Sequence, residues 1–245
     1  MSDNKVAVVI PSRYASSRFP GKPLAMLCGK PMVQHVYEKA AASGADLVMV
    51  ATDDDRIFNA VEAFGGKAVM TSPNHPSGTD RIAEAVRNCG ENVDIIINVQ
   101  GDEPLIPTSV IDELIAIMKE DPAIPMATVG VPDVRERMTE NNVKVVFGAD
   151  HYALYFSRSM IPFHRSGGTA VAPYLHWGIY AYRRETLERF VQLPPGKLEE
   201  CEKLEQLRAL ENGIRIYVHT SNLTSIGIDT PEDLVMAEKK LKGEA

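Results

Sequence analysis

A chain of 245 residues, 44% hydrophobic and 24% charged, has ordinary globular composition and enough length for one α/β domain with a small addition. Its formal net charge of −7 excludes a broad basic face, and with it a nucleic acid polymer as partner; the basic groups cluster locally, as a small anionic ligand requires. Cys28, Cys89 and Cys201 are too isolated for a disulfide framework or a zinc site, and neither a signal peptide nor a membrane-spanning apolar run of about 20 residues occurs, so the expected compartment is a reducing cytoplasm.

The first apolar run, Val6–Ile10, reads as a buried strand. It leads into P-S-R-Y-A-S-S-R-F-P-G-K-P, Pro11 to Pro23, where Arg13, Arg18 and Lys22 are spaced through small residues. Small side chains let backbone N–H groups approach an anion, and the cations neutralise it. The stretch therefore reads either as a triphosphate cradle or as a solvated basic loop. It is neither a Walker loop nor a G-x-G-x-x-G turn, which disfavours a Rossmann dehydrogenase.

A helix follows from about Pro31 to Ser43, then a strand at Leu47–Thr52 that ends in Asp53-Asp54-Asp55, a cap for a helix reaching about Phe64. Gly65-Gly66 stops that helix, and Lys67–Met70 is a short strand. The loop T-S-P-N-H-P-S-G-T-D-R opens a helix near Asp80–Asn88, with Thr79 or Asp80 as its expected cap. Asp94–Val99 is a strongly apolar strand running into Q-G-D-E-P, Gln100 to Pro104, and Thr108–Glu120 has helical spacing.

This alternation, with continuous apolar strands, predicts a mostly parallel sheet covered by helices on both faces. Ligands in such sheets sit beyond the strand C-termini, where the Pro11, Asp53, Ser77 and Gln100 loops would all emerge. Further along, Met126–Val131, Val143–Phe147, Ala153–Phe156, His176–Tyr182 and Ile214–His219 read as strands. Glu185–Gln192 and Leu198–Asn212 read as helices, the latter closed by Gly213, and a last helix runs from Asp229-Thr230-Pro231-Glu232 to about Leu241. Ser166–Pro173 is Gly- and Ala-rich and reads as a mobile loop. With no linker between the halves, the expectation is a single domain over 1–245, with an inserted substrate or dimer subregion at about 125–180.

Asp102 and Asp229 both follow apolar runs, where hard oxygen ligands for a divalent metal on phosphates would stand. From pattern alone a helix cap is the better account of Asp229, whereas Asp102 favours the metal. Ser77, Gly78 and Arg81 offer groups suited to a base edge, or simply a helix start. Arg158 is a bidentate carboxylate binder or a surface arginine. His176 and Tyr180 share a strand face. Glu205 and Gln206 sit on a helix, where exposed polar residues are the default, and His35, His75, His151 and His164 carry no functional assignment.

Seven motifs occur in series: R-Y-A-S-S-R-F-P-G-K-P-L, S-G-T-D-R, Q-G-D-E-P, Y-A-L-Y-F-S-R-S-x-I-P, H-W-G-I-Y, L-E-Q-L-R and G-I-D-T-P-E-D-L. Together they resemble the 3-deoxy-manno-octulosonate (Kdo) cytidylyltransferases, the CMP-Kdo synthetases of lipopolysaccharide assembly, from Val6 to Leu241. The resemblance implies an α/β fold of the Rossmann-like, nucleotide-diphospho-sugar transferase type. It implies that CTP and Kdo give CMP-Kdo and pyrophosphate with Mg²⁺, in a homodimer with no membrane partner. Pro11, Arg13, Lys22 and, as a helper, Arg18 would hold the CTP; Ser77, Gly78 and Arg81 would lie by the nucleotide, and Gln100 by nucleotide and sugar. Asp102 and Asp229 would be metal ligands. Arg158, His176, Tyr180, Glu205 and Gln206 would line the sugar pocket, while Arg165 stays unassigned.

Three rivals remain. One is the same reaction on the 8-amino analogue of Kdo, against which Gly227 before Ile228-Asp229 looks more like the Kdo enzymes. A sialic acid cytidylyltransferase fits L-E-Q-L-R and D-T-P-E-D less well. A non-catalytic nucleotide-binding regulator is opposed by Arg13, Lys22, Asp102 and Asp229 occurring together.

Overall fold

The computed structural model describes residues 4–15, 19–133, 138–169, 171–223, 225, 227–228 and 230–243. Arg18 and Asp229 lie outside the described residues. The chain forms two compact units, Met1–Ala116 with Thr224–Ala245, and Ile117–Leu223.

The first unit opens with β1 (Val6–Ser12), whose residues Val6 to Ile10 are fully buried. A short 3-10 turn, Lys22–Leu24, and a small hairpin, β2 (Met26–Leu27) and β3 (Lys30–Pro31), precede α1 (Met32–Ala41). Next come β4 (Leu47–Thr52), α2 (Asp55–Ala63), β5 (Ala68–Met70), α3 (Gly78–Asn88), β6 (Ile95–Asn98) and α4 (Thr108–Glu120). The strands lie in the order β6-β1-β4-β5, all parallel. Two-sided burial explains why β1 and β6 read as unbroken apolar runs rather than as alternation. Register aligns the strand ends: Ser12 pairs with Thr52, and Val9 with Asn98. The segments that follow β1, β4 and β6 therefore leave from one edge of the sheet.

The second unit holds β7 (Met126–Pro132), β8 (Lys144–Phe147), β9 (Ala153–Ser157), β10 (Tyr174–Arg183), α5 (Arg184–Phe190), α6 (Lys197–Glu202), α7 (Gln206–Glu211) and β11 (Ile216–Thr220). Here β11 runs parallel to β7, while β7–β10, β10–β8 and β8–β9 are antiparallel. The segment Ser166 to Pro173 stands outside helices and strands where described.

The expected single helix over Leu198–Asn212 is instead two, α6 and α7, broken at Lys203, which takes a left-handed φ of 54°. The reason is tertiary. Arg158 Nε donates to the Glu202 carbonyl at 2.9 Å, occupying an acceptor that a continuous helix would use itself.

After residue 223 the chain returns to the first unit and ends in α8 (Pro231–Lys242). Its cap is Thr230, whose hydroxyl accepts from Asp233 N–H while the Asp233 carboxylate accepts from Thr230 N–H. Ile228 and Ala237 pack with Leu27 and Met32 in one buried cluster. Among the described residues no helix is long and apolar enough to cross a membrane.

Candidate active site

The first unit carries a cleft of about 290 Å³ at the C-terminal edge of its sheet. Pro11, Ser12 and Arg13 line it from the end of β1, Lys22 from the 3-10 turn, Ser77, Gly78 and Arg81 from the start of α3, and Gln100, Gly101 and Asp102 from beyond β6. The structure thus brings together every described residue assigned above to CTP or metal, including Pro11, Gly78 and Gln100.

Local backbone rules build this edge. Gly21 has a φ of 71°, and its N–H donates to the Tyr14 carbonyl at 3.0 Å, folding the loop back so that Lys22 reaches the cleft. At Gly101 a Cβ would stand 2.8 Å from Ser12 Oγ and 3.1 Å from the Pro11 carbonyl oxygen, so only glycine lets the loop after β6 approach the end of β1. The cap of α3 is Ser77, not Thr79 or Asp80: the Ser77 hydroxyl accepts from Asp80 N–H at 3.3 Å and donates to the Asp80 carboxylate at 2.7 Å. Helix capping and cleft lining coincide at Ser77.

Asp102 Oδ2 pairs with Lys22 Nζ at 2.6 Å, with side chains 34% and 15% exposed. Arg81, 4% exposed, donates to Thr71 Oγ1 at 2.6 Å and to Asp53 Oδ2 at 2.8 Å. Asp53 therefore balances Arg81, and the neighbouring Asp54 caps α2 by accepting from Arg56 N–H. With Arg81 so compensated, Arg13 and Lys22 face one lining carboxylate, Asp102, an excess of positive charge suited to a polyphosphate.

Sequence reasoning missed His75, which lines the cleft and bonds the Glu84 carboxylate. Glu84 also accepts from Ser72 N–H at 2.9 Å, and these two bonds hold its carboxyl below the usual range. The signal available was position alone, within the loop between β5 and α3.

Among the described residues no group of three or more His, Cys, Asp or Glu could hold a metal by itself. Magnesium commonly takes one or two carboxylates and completes its shell with substrate phosphates and water. Asp102 on the cleft wall fits that donor set, and the first residue before Asp229, Ile228, is tied to it: Ile228 N–H donates to the Asp102 carbonyl at 2.9 Å.

Of the residues assigned to the sugar, Arg158, His176, Tyr180, Glu205 and Gln206 lie in the second unit, whereas Gln100 lines the cleft of the first. His176 and Tyr180 lie on β10, across an irregularity between Trp177 and Tyr180, and their ring centroids are 5.5 Å apart. Thr128 Oγ1 lies 2.8 Å from the Ile179 carbonyl and 3.0 Å from His176 Nε2. A carbonyl can only accept, so the hydroxyl proton goes there and His176 Nε2–H donates to the hydroxyl oxygen. Burial lowers the His176 pKa to about 3 and, with Tyr182 and Glu205 nearby, raises that of the Tyr180 phenol well above its usual value. Gln206 is 5% exposed, against the expectation of a solvated helix face. Arg158 Nε and Nη1 serve the carbonyls of Glu202 and Glu140 at 2.9 and 3.3 Å.

A neutral His176 has a measurable consequence. An imidazole with an ordinary pKa of about 6.5 unfolded and one of about 3 folded contributes stability that is present above the first value and lost as pH falls toward the second. The His176 ring signals in an NMR titration should stay flat from pH 8 to 5, and His176→Asn should flatten the acid limb of the stability profile; a midpoint near 6.5 would refute the burial account.

The sequence matches the Cytidylyltransferase family over residues 7–216. The chain belongs to the cytidylyltransferase family. This cytidylyltransferase is 54% identical over 246 residues to the 3-deoxy-manno-octulosonate cytidylyltransferase of Thermodesulfovibrio yellowstonii, covering 95% of this chain and 96% of that one. It is 52% identical over 242 residues to the 8-amino-3,8-dideoxy-manno-octulosonate cytidylyltransferase of Shewanella frigidimarina, covering 97% and 98%. A solved structure of CMP:2-keto-3-deoxy-manno-octonic acid synthetase complexed with CTP superposes with a TM-score of 0.93 at 45% identity, covering 99% of the cytidylyltransferase described here and 100% of that chain. The α/β, mostly parallel architecture read from the strand pattern is that of this synthetase.

Proposed function

We propose that this cytidylyltransferase activates Kdo with CTP, giving CMP-Kdo and pyrophosphate for lipopolysaccharide synthesis. The observation that carries the reading is the gathering of Arg13, Lys22, Ser77, Arg81, Gln100 and Asp102 around one cleft, in a chain alike end to end to a synthetase complexed with CTP. Arg13 and Lys22 hold the triphosphate, with Arg18 as a helper, while Pro11, Ser77, Gly78 and Arg81 seat the nucleoside. Gln100 serves nucleotide and sugar, and Arg158, His176, Tyr180, Glu205 and Gln206 hold the sugar acid. The anomeric hydroxyl attacks the α-phosphorus in line and pyrophosphate departs, with no covalent protein intermediate. Lys22 offsets charge on the departing group, and catalysis is positioning with charge neutralisation. Asp102 and Asp229 would hold Mg²⁺, which when bound neutralises phosphate charge and acidifies the attacking hydroxyl. The reading includes one catalytic domain with a substrate or dimer subregion at about 125–180, a homodimer and a cytoplasmic location.

A second reading, the same reaction on the 8-amino analogue, is favoured by the 52% identity to the Shewanella frigidimarina enzyme. Pyrophosphate release measured in parallel on both sugars with CTP decides. The Kdo reading expects the higher kcat/KM with Kdo; a higher value with the 8-amino sugar transfers the assignment, and no release with either refutes both.

A further inference from the structure

The second unit contains a set of partly buried polar contacts centred on Glu202, the last residue of α6. Its Oε1 accepts from the Ser157 hydroxyl at 2.6 Å and its Oε2 from Arg158 N–H at 2.9 Å, while its backbone carbonyl accepts from Arg158 Nε at 2.9 Å. Lys144, 1% exposed, grips the same place from β8, donating to the carbonyls of Arg158, Thr139 and Asn142, the latter two at 2.7 and 2.6 Å. Arg158 is thereby anchored at its N–H, its carbonyl, Nε and Nη1, and Glu202 provides the partner at the first and third of these. Glu202 also stands immediately before the left-handed Lys203, where α6 stops and the chain turns to carry Gln206 into the interior.

We propose that Glu202 is a positioning residue for the sugar acid, acting through Arg158; this rests on the Kdo reading above. A guanidinium recognises a carboxylate through a planar fork whose direction matters, and a long side chain loses rotamer freedom when it is fixed. The Glu202 carboxylate holds the Arg158 backbone N–H and the adjoining Ser157 hydroxyl, and the Glu202 carbonyl holds Nε. The backbone that carries the guanidinium and the inner edge of the fork are thus set before the ligand arrives, so the ordering cost does not fall on binding. Glu202 itself meets donors from Ser157 and Arg158 and lines no part of the nucleotide cleft.

The test is steady-state kinetics on Glu202→Ala, Glu202→Gln, Arg158→Ala and the Glu202→Ala/Arg158→Ala pair, with the KM for sugar acid and for CTP measured separately. Glu202→Ala removes the carboxylate that holds the Arg158 backbone and keeps the carbonyl on Nε. It should raise the sugar KM by about 10-fold, the equivalent of one charge-assisted hydrogen bond, and leave the CTP KM within about twofold. Glu202→Gln keeps an acceptor oxygen and should recover part of the loss, which also serves if the alanine variant does not fold. The double variant should be little worse than Arg158→Ala alone. If Arg158→Ala raises the sugar KM and neither Glu202 variant does, the proposal is overturned while the sugar reading stands. Equal rises in both KM values mark general damage and also overturn it. An unchanged sugar KM in Arg158→Ala removes Arg158 from the sugar site and overturns the proposal, while pyrophosphate release with Kdo still decides the Kdo reading.

Discussion

Asp102→Asn is expected to lower kcat by at least about 100-fold, the scale seen when a single charge-stabilising group is lost from an active site. The substitution keeps the size of the side chain and removes its charge, next to a lysine 2.6 Å away. Stability should hardly change, since the pair is partly exposed at 34% and 15% and such pairs contribute about 0–1 kcal/mol. The contrast between a large kinetic and a small thermal effect is what distinguishes a mechanistic role from a structural one. Pyrophosphate release at saturating CTP, sugar and Mg²⁺ measures the first, and a melting curve the second. Near-native turnover would remove Asp102 from the mechanism.

Lys144→Met should do the reverse, acting on stability first. The ammonium donates to three backbone carbonyls, from Thr139, Asn142 and Arg158, and the residue is 1% exposed. Replacing both members of a buried polar pair by apolar groups can be neutral, but backbone carbonyls cannot be replaced. Methionine fills the space and leaves the acceptors without a donor, at a cost of about 3 kcal/mol or more. For a chain of this length that corresponds to a fall in melting temperature of roughly 6–12 °C. Differential scanning calorimetry checks it, and a fall under about 2 °C would show that other donors or water satisfy those carbonyls.

The parts of the fold legible in the sequence were those governed by local pattern. Val6–Ile10 and Ile95–Ile97 are continuous apolar runs because both faces of the parallel sheet are covered, and the loops after them converge as the parallel rule requires. The cleft residues followed from that convergence and from the motifs. What stayed hidden depends on contacts distant in sequence. The break at Lys203 is invisible to helix propensity, because the group that takes the Glu202 carbonyl lies at position 158. Asp53 read as one of three capping candidates, yet its partner is Arg81, on another helix. Lys144 falls in the strand expected at Val143–Phe147, and only the turn at 139–142 and the residue after β9 explain its burial.

The unit that carries the cleft is split in sequence, built from residues before 117 and after 223, whereas the unit between them is contiguous. During synthesis the whole of the contiguous unit is therefore made before Ile228, whose N–H meets the Asp102 carbonyl, or Ala237, which packs in the cluster with Leu27 and Met32. The nascent chain must hold the earlier segment short of its final packing while more than a hundred later residues are made. Docking of the segment after residue 223 on Leu27, Met32 and Asp102 is what closes the first unit, so its packing waits on residues made after the whole of the second.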